Sequence, residues 1–408
     1  MSKRILIVGQ HFWPESFRIN DIADFFANEK GYDVDVLCGI PNYPSGKFSD
    51  GYGYFKNRRQ THNNISIRRV FEIPRGNNSN LRIFLNYISF PLASLFHIPH
   101  LLTKKYDKIF IYQLSPVMMS IAGIWLGKLT RTETTMYVLD LWPENLYSVL
   151  DIKSKILRKI AESVSHWHYR RADKLIALSE SMKERLVSIT SISPEKITVI
   201  PQAAEKLYEQ YIKDPELQNR FKDTFNIVFT GNISPAQSFS TMISAAKLLK
   251  DKGLSDIRWI IVGDGMSRRQ VENDMEQADL GDVFVFEGQK PIEDMPKYTA
   301  IADGLIGCLV KSDLLEATIP AKVMSYIASG KPLLLAMDGE VQTLINTTIK
   351  GGFAGPTEDA ETLASNIERL HSLSPEETKK IQQRLRRYHA KHFERDRLLE
   401  RLNTFVFS

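Results

Sequence analysis

The sequence predicts an α/β protein of two domains, each a doubly wound parallel sheet with helices on both faces. Three observations carry this. Short, nearly continuous apolar runs alternate with helix-like segments along the whole chain, as parallel strands buried on both faces require. The runs fall into two series, separated by a polar, aperiodic stretch near 201–214. The length of 408 residues also exceeds the size at which one hydrophobic core keeps growing. With 43% hydrophobic and 25% charged residues, the composition is that of a folded chain, and disorder is not expected.

The first series reads "RILIVG" (4–9), "DVDVLCG" (33–39), "ISIRRVF" (65–71), "KIFIYQ" (108–113), "TTMYVLD" (134–140), "KLIALS" (174–179) and "ITVIPQ" (197–202). In "SESMKERL", Ser181 stands three residues before Glu184, a capping-box pattern that starts a helix. The second series is "NIVFTG", "RWIIVGDG", "VFVFEG", "DGLIGCLV" and "KPLLLAM", and the C-terminal stretch "RLRRYHAKHFERDRLLERLNTFVF" reads as one amphipathic helix. The boundary falls between 1–202 and 203–385.

Function classes narrow from composition. The net charge of +5 is too mild for a nucleic-acid binder, which shows a denser basic stripe. Cys38 and Cys308 lie in apolar runs away from metal spacing and read as buried, reduced thiols. The N-terminal strand is too short for the apolar region of a secretion signal, so the expected location is the cytoplasm. Residues 81–105 are apolar on nearly every side, and Lys104 and Lys105 close them. Pro91, Pro99, Asn86, His97 and His100 spoil the stretch as a membrane span. It reads as a core helix or as a helix lying in one leaflet, and its wealth of Phe, Leu and Ile favours the membrane surface.

Ligands of doubly wound folds bind beyond the carboxyl ends of the strands. There "FTGNISPAQ" supplies a strand, a tight loop and a helix start, a junction whose free N–H groups suit an anion such as phosphate. This loop, with Gly231, Asn232 and Gln237, holds no Lys or Arg. Gly263, Asp264 and Gly265 follow the next strand with Arg268 and Arg269 beyond, and Gln289 and Lys290 follow the third. Thr318, Pro320, Ala321 and Lys322 then mark a helix start, with Ser325 one turn on. Lys322 is the expected source of the missing charge, assisted by Arg268; a solvated helix face is the alternative for the arginine.

"HFWPE", "GIPNYPSGK", "DLWPENL", "RRADKLIALSE", "VGDG" and "IPAK" followed by "SYIASGKP" together resemble the family-four retaining glycosyltransferases of the GT-B fold, over nearly the whole chain. "PNYPSGK" with "DLWPE" is most similar to the N-acetyl-L-fucosamine transferases of O-antigen and colanic-acid synthesis. The resemblance implies two Rossmann-like domains facing a cleft, with the terminal helix (386–408) crossing back to the N-terminal domain. It further implies a UDP-sugar donor held by the C-terminal domain, an acceptor held by the N-terminal one, retention at the anomeric carbon, and no cofactor or metal. Two positions depart from the family: Asn232 replaces the usual loop Arg and Gln237 a common Lys. Ser325 also stands where a ribose-binding Glu is usual.

On that reading Asp140 and Glu144 are candidates to orient a sugar or steady an oxocarbenium-like transition state, unless Asp140 is simply a helix N-cap. His11 is a candidate for sugar hydroxyls, and Glu15, Arg18, Asn42, Tyr43 and Lys47 for the acceptor. The expected acceptor is a sugar on a polyprenyl diphosphate, with the membrane surface as a further partner. A UDP-sugar 2-epimerase of the same architecture and a non-catalytic nucleotide-binding scaffold are the rivals.

Overall fold

The computed structural model describes residues 2–43, 45–76, 79–143, 154–312, 316 and 319–408. Glu144 and Thr318 lie outside them. The chain divides into two compact units, Met1–Pro201 with Leu399–Ser408, and Gln202–Leu398.

The first unit is built on β1 (Arg4–Val8), β2 (Asp33–Cys38), β3 (Arg59–His62), β4 (Ile65–Arg69), β5 (Lys108–Gln113), β6 (Thr134–Val138), β7 (Lys174–Ala177) and β8 (Ile197–Val199). Among the described residues these form an eight-stranded sheet ordered β3-β4-β2-β1-β5-β6-β7-β8. All neighbours are parallel except β3 and β4. The order reverses at β1, whose partners are β2 and β5, so the loops after β1 and β5 flank the natural crevice of the sheet. β3 escapes a reading by apolar runs because "RQTH" is an edge strand exposed on alternate residues.

The Asn80–Leu95, Ile121–Thr130 and Lys155–Arg171 helices follow β4, β5 and β6. Each crossover advances the same way along the sheet, and with right-handed connections all three lie on one face. The first of them divides the apolar stretch between two surroundings. Asn86, Tyr87, Phe90 and Ser94 are buried, while Leu81, Leu85, Leu92 and Phe96 are exposed at helical spacing. One side is core and the other is an uncovered apolar stripe. No helix among the described residues is long and apolar enough to cross a membrane. Lys104, one of the two lysines that close the stretch, is held by both oxygens of Asp35, at 2.7 and 2.8 Å.

The second unit contains β9 (Phe225–Thr230), β10 (Ile257–Val262), β11 (Phe284–Gly288), β12 (Gly304–Cys308), β13 (Leu333–Ala336) and β14 (Gly352–Gly355), ordered β11-β10-β9-β12-β13-β14. The period of two along a strand divides its core. Val228, Ile260 and Leu305 face one apolar layer, while Ile227, Phe229, Trp259 and Ile261 face the other. Here the order reverses at β9, between β10 and β12.

Two local expectations are corrected. The helix Glu180–Thr190 is capped by Ser179, whose Oγ accepts from the Met182 N–H at 3.1 Å, so the cap precedes Ser181. The C-terminal stretch is three pieces: an α-helix to Tyr388, a π-helical turn His389–Phe393, and a helix Arg395–Phe407. Both cysteines are free and buried, and burial pushes each thiol up to about 12.

Candidate functional site

In the second unit the reversal point carries three interlocked loops. Gly231 follows β9 at φ +137°, and Gly263 follows β10 at φ +148°; few side chains tolerate either geometry. The Gly231 N–H donates to the Val262 carbonyl and the Ile233 N–H to the Asp264 carbonyl, both at 2.9 Å. A Cβ on Gly263 would stand 1.9 Å from the Gly231 oxygen, and one on Gly265 would stand 2.2 Å from the Ile233 oxygen. The two glycines let the loops touch backbone to backbone, and Asn232 stays exposed beside them.

Lys322 reaches this loop from the helix Ala321–Ser329, for which Pro320 is the N-cap. The residue as a whole is half-buried, and its ammonium is turned toward the β9 loop. Nζ stands 3.8 Å from the centre of the Phe229 ring, donates to Gln237 Oε1, and lies 3.6 Å from where a Gly231 Cβ would be. Burial pulls the ammonium down to about 7. A desolvated cation with no carboxylate on it among the described residues, at the reversal point of a parallel sheet, is suited to a diphosphate. Tyr326 stiffens the floor: its hydroxyl accepts from the Thr230 N–H at 2.9 Å and lies 3.3 Å from the Ile306 carbonyl.

The charge of Arg268 goes elsewhere than expected. Its Nε donates to Glu272 at 2.8 Å and NH1 to Asp264 at 3.3 Å, and these carboxylates hold it above its usual value. Lys290 faces Glu287 at 3.9 Å, and that carboxylate also takes Arg220 at 2.6 Å and the Tyr298 hydroxyl at 2.9 Å. Gln289 adjoins them on the loop after β11. Ser325 is buried, and its Oγ lies 3.5 Å from Glu205 Oε2. Glu205, in the loop before the second sheet, is a carboxylate one helical turn from Lys322 that no sequence pattern marked.

In the first unit the β1 loop holds a tight cluster. His11 Nδ1 meets Glu15 Oε2 at 2.8 Å, and the imidazole stacks on Phe17 at 4.7 Å with Tyr43 tilted against it. Glu15 Oε1 accepts the N–H groups of Asn42 and Tyr43, both at 2.7 Å. The carboxylate is therefore fully used. Glu15, expected on the acceptor side, is buried and meets His11 and the backbone of Asn42 and Tyr43. Asn42 is buried, with Nδ2 donating to the Ile40 carbonyl at 2.9 Å, whereas Tyr43 and Lys47 are exposed and Arg18 is half-buried.

Asp140 Oδ2 accepts the Ser115 N–H at 3.0 Å, tying the end of β6 to the loop after β5. Glu72, also unmarked by any motif, is fully buried beside Gln10 at 2.7 Å and Asn86 at 2.6 Å. Burial raises its carboxyl. Gly39 is required there, since a Cβ would stand 1.8 Å from Glu72 Oε2.

Comparison with known proteins gives the family of each half of the chain. Residues 18–204 match the model of Glycosyltransferase Family 4, and residues 210–391 match Glycosyl transferases group 1. The chain is 23% identical over 341 residues to WcaI of Escherichia coli K12, a glycosyl transferase named for colanic acid biosynthesis, covering 80% of this chain and 81% of that one. It is 25% identical to AmsK, an amylovoran biosynthesis glycosyltransferase of Erwinia amylovora, over 48% of this chain and 44% of that one. Among solved structures, HepE of Anabaena in complex with UDP and glucose superposes with a TM-score of 0.71 over 100% of both chains at 14% identity, a likeness of fold.

Proposed function

On the premise that the chain is a glycosyltransferase of the GT-B fold, a Family 4 domain followed by a group 1 domain, we propose that it moves a sugar from a UDP-sugar to a lipid-diphosphate-linked sugar with retention. The observation that carries this reading is Lys322, a buried ammonium against Gly231 with no carboxylate on it among the described residues. The β-phosphate of the donor takes that place, beside the Gly231 loop, and the Lys322 ammonium is aimed at the departing charge. Glu205, beside Ser325, accepts from the ribose hydroxyls.

The bond from the anomeric carbon to the phosphate oxygen breaks, and the acceptor oxygen bonds to the same face. The acceptor proton passes to the leaving phosphate, so the step needs neither a protein base nor a metal. His11, held by Glu15, presents its ring to sugar hydroxyls, while Asp140 and Glu144 steady the oxocarbenium-like carbon. N-acetyl-L-fucosamine as the sugar rests on the resemblance in "PNYPSGK" and "DLWPE", and N-acetylglucosamine on undecaprenyl diphosphate as the acceptor on the apolar stretch of residues 81–105, which suits a lipid-linked substrate. The colanic-acid and amylovoran assignments of the relatives support a place in surface polysaccharide assembly. A lipid acceptor also gives a use to the exposed stripe of residues 81–105 and supports a location on the inner face of the cytoplasmic membrane.

The test is a panel of nucleotide sugars offered with and without a GlcNAc-diphosphate-lipid analogue. Sugar transfer that depends on the analogue is the expected result. Conversion of a UDP-sugar to its epimer in the absence of any acceptor would instead identify an epimerase.

A further inference from the structure

One edge of the first sheet carries a like-charge arrangement that the proposed transfer does not use. β3 and β4 pair in a register that sets Arg59 directly opposite Arg68, and like charges so placed repel. The Arg68 guanidinium donates to His100 Nε2 at 2.6 Å. Arg58 adds a third guanidinium, anchored on the Arg69 and Tyr54 carbonyls at 2.7 and 2.9 Å. Among the described residues no carboxylate pairs with any of the three. Asp35, whose field reaches Arg68, is itself occupied by Lys104 at 2.7 Å and by the Tyr106 hydroxyl at 3.0 Å.

The imidazoles do not relieve the repulsion. Burial, then the charge of Arg68, holds His97 and His100 below their usual range, His97 at about 4. Both rings are neutral near pH 7, and the positive charge is concentrated on the guanidinium groups. Such a cluster asks for an anion, and its surroundings say which kind. Phe96, 85% exposed, follows the apolar helix directly and precedes His97, with Leu92 at 56% one turn before it. Phe55, at 99%, lies in the loop leading to Arg58. A soluble anion would leave this apolar surface without a role, whereas a lipid offers an acyl region and a charged headgroup side by side.

We propose that Arg59 and Arg68, the latter held by His100, form a seat for the phosphate of an anionic lipid headgroup, placed so that Phe96 enters the acyl boundary as the guanidiniums take the phosphate. The seat rests on the reading of residues 81–105 as the membrane-facing surface and adds headgroup selection to it. A guanidinium fork matches phosphate oxygens in geometry as well as charge, and the bound phosphate cancels the cross-strand repulsion.

Flotation with vesicles of phosphatidylcholine, alone or mixed with phosphatidylglycerol, tests this on the full-length protein. Wild type is expected to prefer the mixed vesicles. Arg59→Gln combined with Arg68→Gln should weaken that binding roughly 30-fold, about 2 kcal/mol at roughly 1 kcal/mol per arginine, leave binding to phosphatidylcholine unchanged, and not lower the melting temperature. Arg59→Gln alone, at an exposed edge position, should give part of the loss in a protein certain to be compared folded by its UDP binding. Unchanged preference in the double variant overturns the seat. Equal wild-type binding to both vesicles overturns the seat and leaves the membrane reading standing; binding to neither overturns both. Stabilisation by inorganic phosphate without any preference for phosphatidylglycerol assigns the cluster to a soluble anion and overturns the lipid source.

Discussion

At the scale of single residues, the donor site turns on Lys322. Its ammonium sits near 7 because burial disfavours charge, and a bound diphosphate restores the charged form. UDP affinity should therefore be full below about pH 7 and fall as pH rises through the free-protein value, with proton uptake on binding measurable by calorimetry in buffers of different ionisation enthalpy. Lys322→Ala should weaken UDP at least about tenfold, in keeping with the loss of a charged hydrogen bond. Lys250→Ala, a lysine paired with Asp282 at 2.9 Å on a helix face, should leave UDP binding unchanged, and equal losses would remove Lys322 from the phosphates. Stability moves oppositely. The unfolded chain keeps the Lys322 proton up to about 10.5 while the folded chain releases it near 7, so the ligand-free protein gains stability as pH rises across that window. Lys322→Met should remove this slope and raise the melting temperature at neutral pH. Glu205→Gln should raise the donor KM about tenfold and leave the lipid-acceptor KM unchanged; an effect on the acceptor alone would refute the ribose contact. Of this pair, Lys322 was legible because a Pro-x-Lys helix start is a local pattern. Glu205 was not, because a chain segment more than a hundred positions away brings it to Ser325.

At the scale of elements, what a sequence shows depends on whether an element is specified by its own residues. β9 and β10 are apolar throughout most of their length and end in glycine loops, so strand, turn and ligand-facing end all appear in the string. β3 is polar and pairs only at an edge, and β14 is "GFAG", so neither carries a strand signature of its own; their neighbours define them. The Asn80–Leu95 helix shows the intermediate case, since its apolar surplus was visible but the division into a buried and an exposed side was not. The glycine loops support a sharp prediction. Gly263→Ala places a Cβ 1.9 Å from the Gly231 oxygen at φ +148°, and should destabilise by about 2–4 kcal/mol from strain and contact while weakening UDP through the displaced β9 loop. Gly281→Ala, where a Cβ meets nothing within 4 Å, should stay within about 0.5 kcal/mol of wild type. Chemical denaturation of both variants decides it, and similar midpoints would mean that the loop contact relaxes freely.

At the scale of the whole molecule, the alternation of strands and helices announced two doubly wound units because such sheets are written in continuous apolar runs. The site residues within each unit followed from where strands end, although their individual partners, such as Glu15 with His11, are set by tertiary packing. Under the proposed function, lipid contact and nucleotide contact fall on different units and are separable. The exposed stripe of Leu85, Leu92 and Phe96 belongs to the first unit, and the Lys322 site to the second. Entry of an apolar side chain that hides on the order of 100 Å² gains about 2.5 kcal/mol, enough for three side chains to hold the protein on a bilayer. Replacing all three with Ser should release it from liposomes and raise the apparent KM for a lipid acceptor, with UDP affinity, kcat on a short water-soluble acceptor and melting temperature unchanged. High salt should weaken wild-type association without abolishing it, because screening acts on charges and not on apolar insertion. Loss of UDP binding together with a lowered melting temperature would show instead that the stripe supports the fold, and complete release by salt alone would reduce the contact to electrostatics.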